Sequence, residues 1–280
     1  MDAFHTLRVR RPENFALADF ELFTLALSAL EWRKHNGRIK LATDSVGAEY
    51  MHECGLSEVW NSTEILLDGM TSLDIHEDVF WAGAKIYALS QQVAPCVMID
   101  LDFILWQTIE FARFGKDLAV IHRERVQPPV YPPKCFFGFV DGWQLPNWLD
   151  WSVLPCNGAL VYFGSNRFLR EYTGFSLDFM KHAATKSDRL SYMVFAEQRW
   201  MAMCAKKMGI PVHELSSVES LFDKKQKYFT HVWGYKQKLR ENLDEADKFC
   251  RTCGDRLKHD FPEFAEKLKD YAWAANYMEE

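Results

Sequence analysis

Helical and strand-like segments alternate along most of this chain, and this alternation is the strongest constraint on its fold. A helical pattern at 18–35 precedes the strand-like run 38–43, and another at about 78–91 precedes the apolar run 94–99. Later apolar runs at 118–121, 159–163 and 211–215 enclose helical patterns at 167–182 and 190–208. Strands that alternate with helices usually pair in parallel, because each helix returns the chain to the same sheet edge. We therefore predict an α/β fold, with a mostly parallel central sheet flanked by helices.

Three further segments complete the predicted organisation. The short run 56–60 is compatible with another strand, and the proline-rich stretch 127–155 indicates a long irregular loop, a kind that is often functional. After residue 234 the sequence becomes rich in Lys, Glu and Asp at helical spacing, interrupted by Gly254 and Pro262. This predicts a main domain over 1–234 and a C-terminal extension of two helices over 235–280.

Charge and composition exclude several classes of protein. Lys and Arg number 33 against 39 Asp and Glu, a net charge of −6, so no broad basic face for nucleic acid is expected. No run of eighteen apolar residues predicts a membrane span, although peripheral attachment to a membrane stays open. The first residues have no apolar core of a signal peptide, and most of the seven cysteines lie in apolar runs. A cytoplasmic protein with reduced thiols is expected.

The sequence Asp100-Leu101-Asp102 follows the apolar run 94–99 directly. Open α/β sheets bind ligands at the carboxyl ends of their strands, where two carboxylates can converge on one cation. Hard oxygen ligands of this kind suit Mg²⁺ or Mn²⁺ between two phosphates. The alternative is purely structural, since aspartates at a strand end also cap the turn that follows.

Three other polar motifs are candidates for binding or catalysis. His231, Gly234 and Lys236 precede a helix, and combine an imidazole, a close backbone approach and a cation for phosphate. Asn157-Gly158 opens a strand and could face a hydroxylated substrate, or could simply form a turn. Glu197-Gln198 interrupts an apolar helix, and could equally lie on its solvated face.

The order of these motifs resembles nucleotide-sugar glycosyltransferases of the GT-A fold, including glycogenin-type, lipopolysaccharide-type and capsular-polysaccharide enzymes. The resemblance spans about 18–236, and its members are Asp44 after the first strand, Lys85 in a helix, Asp100-x-Asp102, Asn157-Gly158-Ala159, Glu197-Gln198 and His231-x-x-Gly234-x-Lys236. It implies a GT-A-like fold with a C-terminal helical extension. It also implies transfer of a sugar from a nucleoside diphosphate, UDP being expected, to a glycan acceptor in polysaccharide synthesis.

The same resemblance implies a role for each matching residue. Asp100, Asp102 and His231 would hold Mn²⁺ or Mg²⁺, with Asp100 also near the ribose, and Gly234 and Lys236 would bind the diphosphate. Asp44 would lie beside the base and Lys85 near the donor sugar, whereas Asn157, Glu197 and Gln198 would face the transferred sugar and the acceptor. The sequence departs from the family in the spacing of Lys236 and in having Glu-Gln for Asp-Gln. The donor and the anomeric outcome therefore stay open.

Two other functions stay open at the level of sequence. Phosphohydrolases of the haloacid-dehalogenase class also carry Asp-x-Asp after an apolar strand, with the first Asp as nucleophile. Against this class, Ile104 stands where Thr is expected, and Gly254-Asp255 follows a polar stretch rather than a buried strand. A non-catalytic binding protein that keeps the fold is the second alternative.

Overall fold

We analysed a computed structural model, which describes residues 1–185, 187–223 and 226–279. In chain order its strands and helices are β1 (Ala3–Leu7), α1 (Asp19–His35), β2 (Ile39–Thr43), α2 (Ser45–Glu53), β3 (Ser62–Ile65), α3 (Gly83–Ser90), β4 (Cys96–Ile99), β5 (Phe103–Leu105), β6 (Leu118–Val120), β7 (Leu160–Phe163), α4 (Asn166–His182), α5 (Ser191–Val194), α6 (Trp200–Met208), β8 (Val212–Glu214), β9 (Phe229–His231), α7 (Lys236–Glu241), α8 (Leu243–Asp260), α9 (Pro262–Leu268) and α10 (Ala275–Met278). A π-helical turn, Phe195–Arg199, connects α5 to α6. Within the described residues, no helix has the length and apolar content that crossing a membrane requires.

The chain divides into two compact units. The first contains Met1, Leu66–Ile99 and Glu110–Lys224, and the second contains Asp2–Ile65, Asp100–Ile109 and Lys225–Glu280. All of the predicted C-terminal extension therefore belongs to the second unit, apart from residue 280, which lies outside the described residues. The predicted boundary between residues 234 and 235 stays a prediction.

The first unit has four sheet strands in the order β4-β7-β6-β8, with β7 antiparallel to both neighbours and β6 parallel to β8. Stacked aromatic rings form its core, since Phe163 of β7 lies against Phe168 and Tyr172 of α4. Helix α4 begins where the Ser165 hydroxyl accepts a hydrogen bond from the backbone N–H of Phe168, a typical N-cap. Packing on this helix holds the π-helical turn, because the Ser176 hydroxyl donates to the Ala196 carbonyl at 2.6 Å.

The second unit has three parallel strands in the order β3-β2-β1 and a separate antiparallel ribbon, β5-β9. Helix α1 is buried at nearly every position from Phe20 to Trp32, because β5 and α8 both pack on it. Its Phe23 ring lies edge-on to the rings of Trp273 and Tyr277, on the last turns of the chain. The C-terminal helices thus complete the core of this unit.

The predicted fold class is confirmed: apart from the antiparallel β5-β9 ribbon, three of the described strand pairings within the two units are parallel and two are antiparallel, with helices flanking the strands. The irregular segment at 127–155 is also confirmed, with a single 3₁₀ turn, Lys134–Phe136. Five of the seven cysteines are buried, whereas Cys54 is half-buried and Cys135 is exposed.

Several local predictions are wrong. The run 56–60 contains a 3₁₀ turn rather than a strand, and the strand forms at Ser62–Ile65. Over its described residues, 235–279, the extension has four helices instead of two, because the short helices α7 and α10 form in addition to α8 and α9. Helix α8 continues through Gly254 and ends at Asp260. A Cβ on Gly254 would lie 2.8 Å from the Tyr277 carbonyl oxygen, so this glycine lets the chain around α10 approach α8 closely. Its role is packing, not helix termination.

Candidate functional site

The three residues predicted as metal ligands come together in the second unit. Asp102 immediately precedes β5, and the ribbon register pairs Phe103 with His231 of β9. The backbone N–H of Val232 donates to the Asp102 carbonyl at 3.1 Å, which fastens the end of β9 to this turn. One carboxylate oxygen each from Asp100 and Asp102, and one ring nitrogen of His231, lie within 4.8 Å of one another. The register of two three-residue strands therefore brings together residues that are about 130 positions apart.

Lys236 is the fourth member of this cluster. Its Nζ lies 2.9 Å from Asp102 Oδ2, and His231 Nε2 lies 3.9 Å from Asp102 Oδ1. Burial alone would raise the pKa of Asp102, but Lys236 and His231 outweigh it and hold the pKa below its ordinary value. Asp102 is therefore ionised at neutral pH, the form in which a carboxylate binds a metal.

The donor set fits a small divalent cation. Two carboxylates and one imidazole supply three ligand atoms, and carboxylate oxygens are the ligands that Mg²⁺ and Mn²⁺ prefer. All three side chains are half-buried rather than fully exposed, so their positions are constrained by neighbours. Three protein ligands leave coordination positions for the oxygens of a phosphorylated substrate. Asp100, Asp102 and His231 are thus the residues that would hold a metal here.

Gly234 lies next to this cluster in the 3₁₀ turn Trp233–Tyr235. A Cβ built on Gly234 meets no atom within 4 Å among the described residues, so the backbone here is accessible. Trp233 beside it is 72% exposed, with its ring 6.4 Å from the His231 ring. The turn therefore offers a ligand an approachable backbone and a large aromatic surface.

Asp44 does not simply face a ligand. It caps α2 and is only 2% exposed. Its carboxylate accepts hydrogen bonds from the backbone N–H groups of Gly47 at 2.6 Å and Val9 at 2.8 Å. The Arg8 guanidinium donates to the same carboxylate at 2.9 Å. Asp44 therefore ties the end of β2 to the segment after β1, and the cation that accompanies it is Arg8, which sequence reasoning did not select.

The remaining predicted residues form a second polar cluster, in the first unit. Lys85 Nζ lies 2.5 Å from Glu197 Oε1 and 3.3 Å from the Gly158 carbonyl oxygen. A Cβ on Gly158 would lie 2.7 Å from the Glu197 carboxylate, so only glycine leaves room for this acid. Glu197 is on the π-helical turn, a local distortion that occurs frequently at functional sites. The turn directs a charged side chain into a largely buried environment.

Asn157 and Gln198 extend this second cluster through hydrogen bonds. The Asn157 amide donates to Glu124 Oε1 at 2.7 Å, and the Tyr131 hydroxyl donates to Gln198 Oε1 at 2.5 Å. Burial, followed by the nearby carboxylates, raises the pKa of Tyr131 above its ordinary value, so its hydroxyl keeps its proton. His122 lies beside them, 1% exposed, with its carbonyl accepting from the Asn157 backbone N–H at 3.0 Å.

Sequence reasoning did not select His122, Glu124 or Tyr131. The first two follow the short strand β6 without any motif, although a polar residue after an apolar strand is a usable signal. Tyr131 lies inside the irregular segment 127–155, a kind of loop that is often functional, but nothing in its local sequence distinguishes it from the neighbouring aromatic residues. Tertiary packing brings the Glu124 side chain and the His122 backbone carbonyl to Asn157, and the Tyr131 side chain to Gln198.

Known proteins resemble this chain in sequence or in fold. Its sequence matches, over residues 9–271, a family described as "Family of unknown function (DUF6734)". The chain belongs to this family. No curated protein matches the sequence.

Among solved structures, this DUF6734 chain is similar to the PaToxG glycosyltransferase, with 11% identity and a TM-score of 0.43 over 74% of this chain and 69% of that one. It is also similar to the galactosyltransferase LgtC in complex with donor and acceptor sugar analogues, with 12% identity and a TM-score of 0.36 over 71% of each chain. A third is the apo form of mouse xyloside xylosyltransferase 1, with 12% identity and a TM-score of 0.39 over 77% of this chain and 85% of that one. All three are named as glycosyltransferases.

Proposed function

We propose that this chain is a metal-dependent glycosyltransferase that moves a sugar from a nucleoside diphosphate, UDP being the expected one, to a glycan acceptor. The observation that carries the proposal is the convergence of Asp100, Asp102 and His231 within 4.8 Å, with Lys236 at 2.9 Å from Asp102. A cation and an ammonium group at one place suit a diphosphate, which carries several negative charges. The same arrangement explains how an acidic protein binds an anionic donor.

The residues of this cluster act on the leaving group. Departure of the sugar leaves negative charge on the diphosphate, and Lys236, beside Asp102, would stabilise that charge without any proton transfer. A bound Mn²⁺ or Mg²⁺ would supply Lewis-acid stabilisation of the same oxygens. Asp100, Asp102 and His231 would hold that cation, while the accessible backbone at Gly234 would let the diphosphate approach.

The other predicted residues receive proposed roles in binding. Lys85, Asn157, Glu197 and Gln198 would contact the donor sugar and the acceptor, because their hydrogen-bonding groups form a polar cluster suited to hydroxyl groups. Asp44 would act near the base through its Arg8 partner, since its own oxygens already accept three hydrogen bonds. A catalytic domain over 1–234, a cytoplasmic location and a part in polysaccharide synthesis belong to the same proposal.

The phosphohydrolase alternative loses support from the position of its second motif. Gly254 and Asp255 lie within α8, so this Gly-Asp pair is not at the end of a buried strand. Asp255 is largely exposed and pairs with Lys258 at 3.0 Å, as residues on a solvated helix face do.

Thermal unfolding with UDP, GDP, CDP and dTDP, each with Mn²⁺ or with EDTA, tests the proposal. A ligand that binds only the native state raises its stability by about 2.7 kcal/mol at a hundredfold excess over Kd. We expect such a rise for one nucleotide, only with Mn²⁺, and we expect Asp102→Asn to abolish it. The matched control, Asp255→Asn, removes the same charge outside the cluster and should respond like the native protein.

Two other results would favour one of the alternative functions. Hydrolysis of a generic phosphate ester that depends on Asp100, which would be the nucleophile, with no response to any nucleotide, would replace the proposal with the phosphohydrolase. No binding and no hydrolysis would leave a non-catalytic binding protein.

A further inference from the structure

A chain of buried hydrogen bonds crosses the second unit and ends beside the metal cluster. The Trp60 indole N–H donates to His5 Nδ1 at 3.0 Å, and His5 Nε2 lies 3.0 Å from the Ser28 hydroxyl oxygen. The Ser28 hydroxyl donates to the Phe103 carbonyl at 2.5 Å. His5 is completely buried and Ser28 is 2% exposed, so water does not compete for these groups.

The direction of each hydrogen bond in this series follows from the indole N–H of Trp60, the first donor. An indole N–H can only donate, so His5 Nδ1 must be the acceptor and Nε2 must carry the ring proton. His5 Nε2 then donates to the Ser28 oxygen, which leaves the Ser28 hydrogen to point at the Phe103 carbonyl. Burial lowers the pKa of His5 to about 3, against the opposing effect of the Asp102 charge, so the ring stays neutral between pH 5 and 8.

The hydrogen bond from Ser28 to Phe103 is made at the residue that connects the metal ligands Asp102 and His231. Phe103 directly follows Asp102 in the chain, and it is the residue that pairs with His231 in the β5-β9 ribbon. The ribbon is only three residues long on each side, which gives it few hydrogen bonds of its own. The Ser28 bond therefore attaches the ribbon to α1 at the position that connects two metal ligands.

We propose that His5 and Ser28 are positioning residues, which hold Asp102 and His231 at the separation that a divalent cation needs. The inference rests on the metal site of the proposed function. Apolar residues could fill the same buried volume without the cost of desolvating an imidazole and a hydroxyl. A fully satisfied buried network instead fixes one arrangement of the backbone, which is what a metal site requires.

Ser28→Ala removes the last bond and tests the inference through Mn²⁺ affinity, measured by titration calorimetry and by electron paramagnetic resonance of free Mn²⁺. Loss of partners that orient metal ligands typically weakens metal binding by 10–100-fold, so we expect about a tenfold weaker Kd. Ser176→Ala is a matched control, because Ser176 is equally buried and its hydroxyl donates to the Ala196 carbonyl in the first unit. Both variants should lose stability, but only Ser28→Ala should lose Mn²⁺ affinity.

Two further variants keep the test decisive if Ser28→Ala does not fold. Ser28→Thr retains the hydroxyl and should keep Mn²⁺ affinity within about threefold of native. Trp60→Phe removes only the indole N–H that donates to His5, and should weaken Mn²⁺ binding less than Ser28→Ala. If the native protein binds no Mn²⁺, the metal site and the positioning role are both overturned. If the native protein binds Mn²⁺ and the Ser28 and Ser176 variants bind it equally, only the positioning role is overturned.

Discussion

Glu31→Gln tests a pair of carboxyl groups buried between α1 and the end of α8. Glu31 is completely buried and Asp260 is nearly so, yet neither oxygen of an ionised Glu31 accepts a hydrogen bond from the described residues. Three basic groups lie within 4 Å of Glu31: His35 Nε2 at 3.2 Å, Lys34 Nζ at 3.6 Å and Arg256 Nε at 3.9 Å. Burial and the Lys34 charge lower the pKa of His35, so only the lysine and the arginine are cationic at neutral pH. Arg256 itself contacts Asp260 closely. One proton held by Glu31 and donated to Asp260 satisfies both acids.

The pKa values of the two acids determine how strongly this proton affects the free energy of unfolding. Burial, followed by the hydrogen bond to Asp260, raises the pKa of Glu31 from 4.5 to about 7, against the opposing charges of Lys34 and Arg256. Burial opposes the ionisation of Asp260, but His259, Glu31 and Arg256 lower the pKa of Asp260 to about 2. The native state thus keeps a proton that the unfolded chain releases near pH 4.5. This stability is fully present below pH 4.5 and is lost as the pH rises through 7.

The full pKa difference corresponds to about 3 kcal/mol, and about 2 kcal/mol is expected because Lys34 and Arg256 are partly exposed to solvent. Glutamine keeps a donor for Asp260 and cannot ionise. Urea unfolding from pH 5 to 8.5 should therefore show Glu31→Gln close to native at pH 5 and more stable by about 2 kcal/mol at pH 8. Glu58→Gln, which removes an exposed partner of Lys267, serves as the control and should not change the slope. Parallel curves for the native protein and Glu31→Gln would refute the buried-proton argument.

Four further substitutions test the site and its packing. Lys236→Met should weaken UDP binding about tenfold while leaving Mn²⁺ affinity within threefold, measured by calorimetry, because it removes the cation beside Asp102 but no metal ligand. Gly158→Ala should lower turnover by at least about tenfold with the fold intact, since the new methyl would displace the Glu197 carboxylate; unchanged kinetics would contradict this. Gly164→Ala should destabilise the protein by about 3 kcal/mol or more, because a Cβ there would overlap the backbone carbonyl oxygen of Gly115. Gly174→Ala, in open space on α4, should stabilise the helix by up to about 1 kcal/mol in the same melts.

Elements with a strong local pattern could be predicted closely from the sequence. Helix α1 was expected over 18–35 and spans Asp19–His35, because its apolar residues recur at helical spacing and a glycine follows its end. The short strand β1 was not predicted, since His5 and Thr6 interrupt its apolar residues. His5 can be buried there only because Trp60 and Ser28 supply its hydrogen bonds, and those partners are distant in sequence.

The candidate site, like the fold, can be predicted only in part from the sequence. The sequence by itself determined which residues could bind a cation, because Asp-x-Asp after an apolar run places two carboxylates at a strand end. That His231 joins them was implied only by the family resemblance and not by the local pattern, since a three-residue strand carries too little pattern to predict its pairing. That outcome depends on the register of β5 against β9, on the Ser28 bond that holds the ribbon to α1, and on the C-terminal helices that cover α1. Side-chain chemistry is a property of each residue, whereas the distance between two ligands depends on contacts between segments far apart in the chain. Only the tertiary structure decides those contacts.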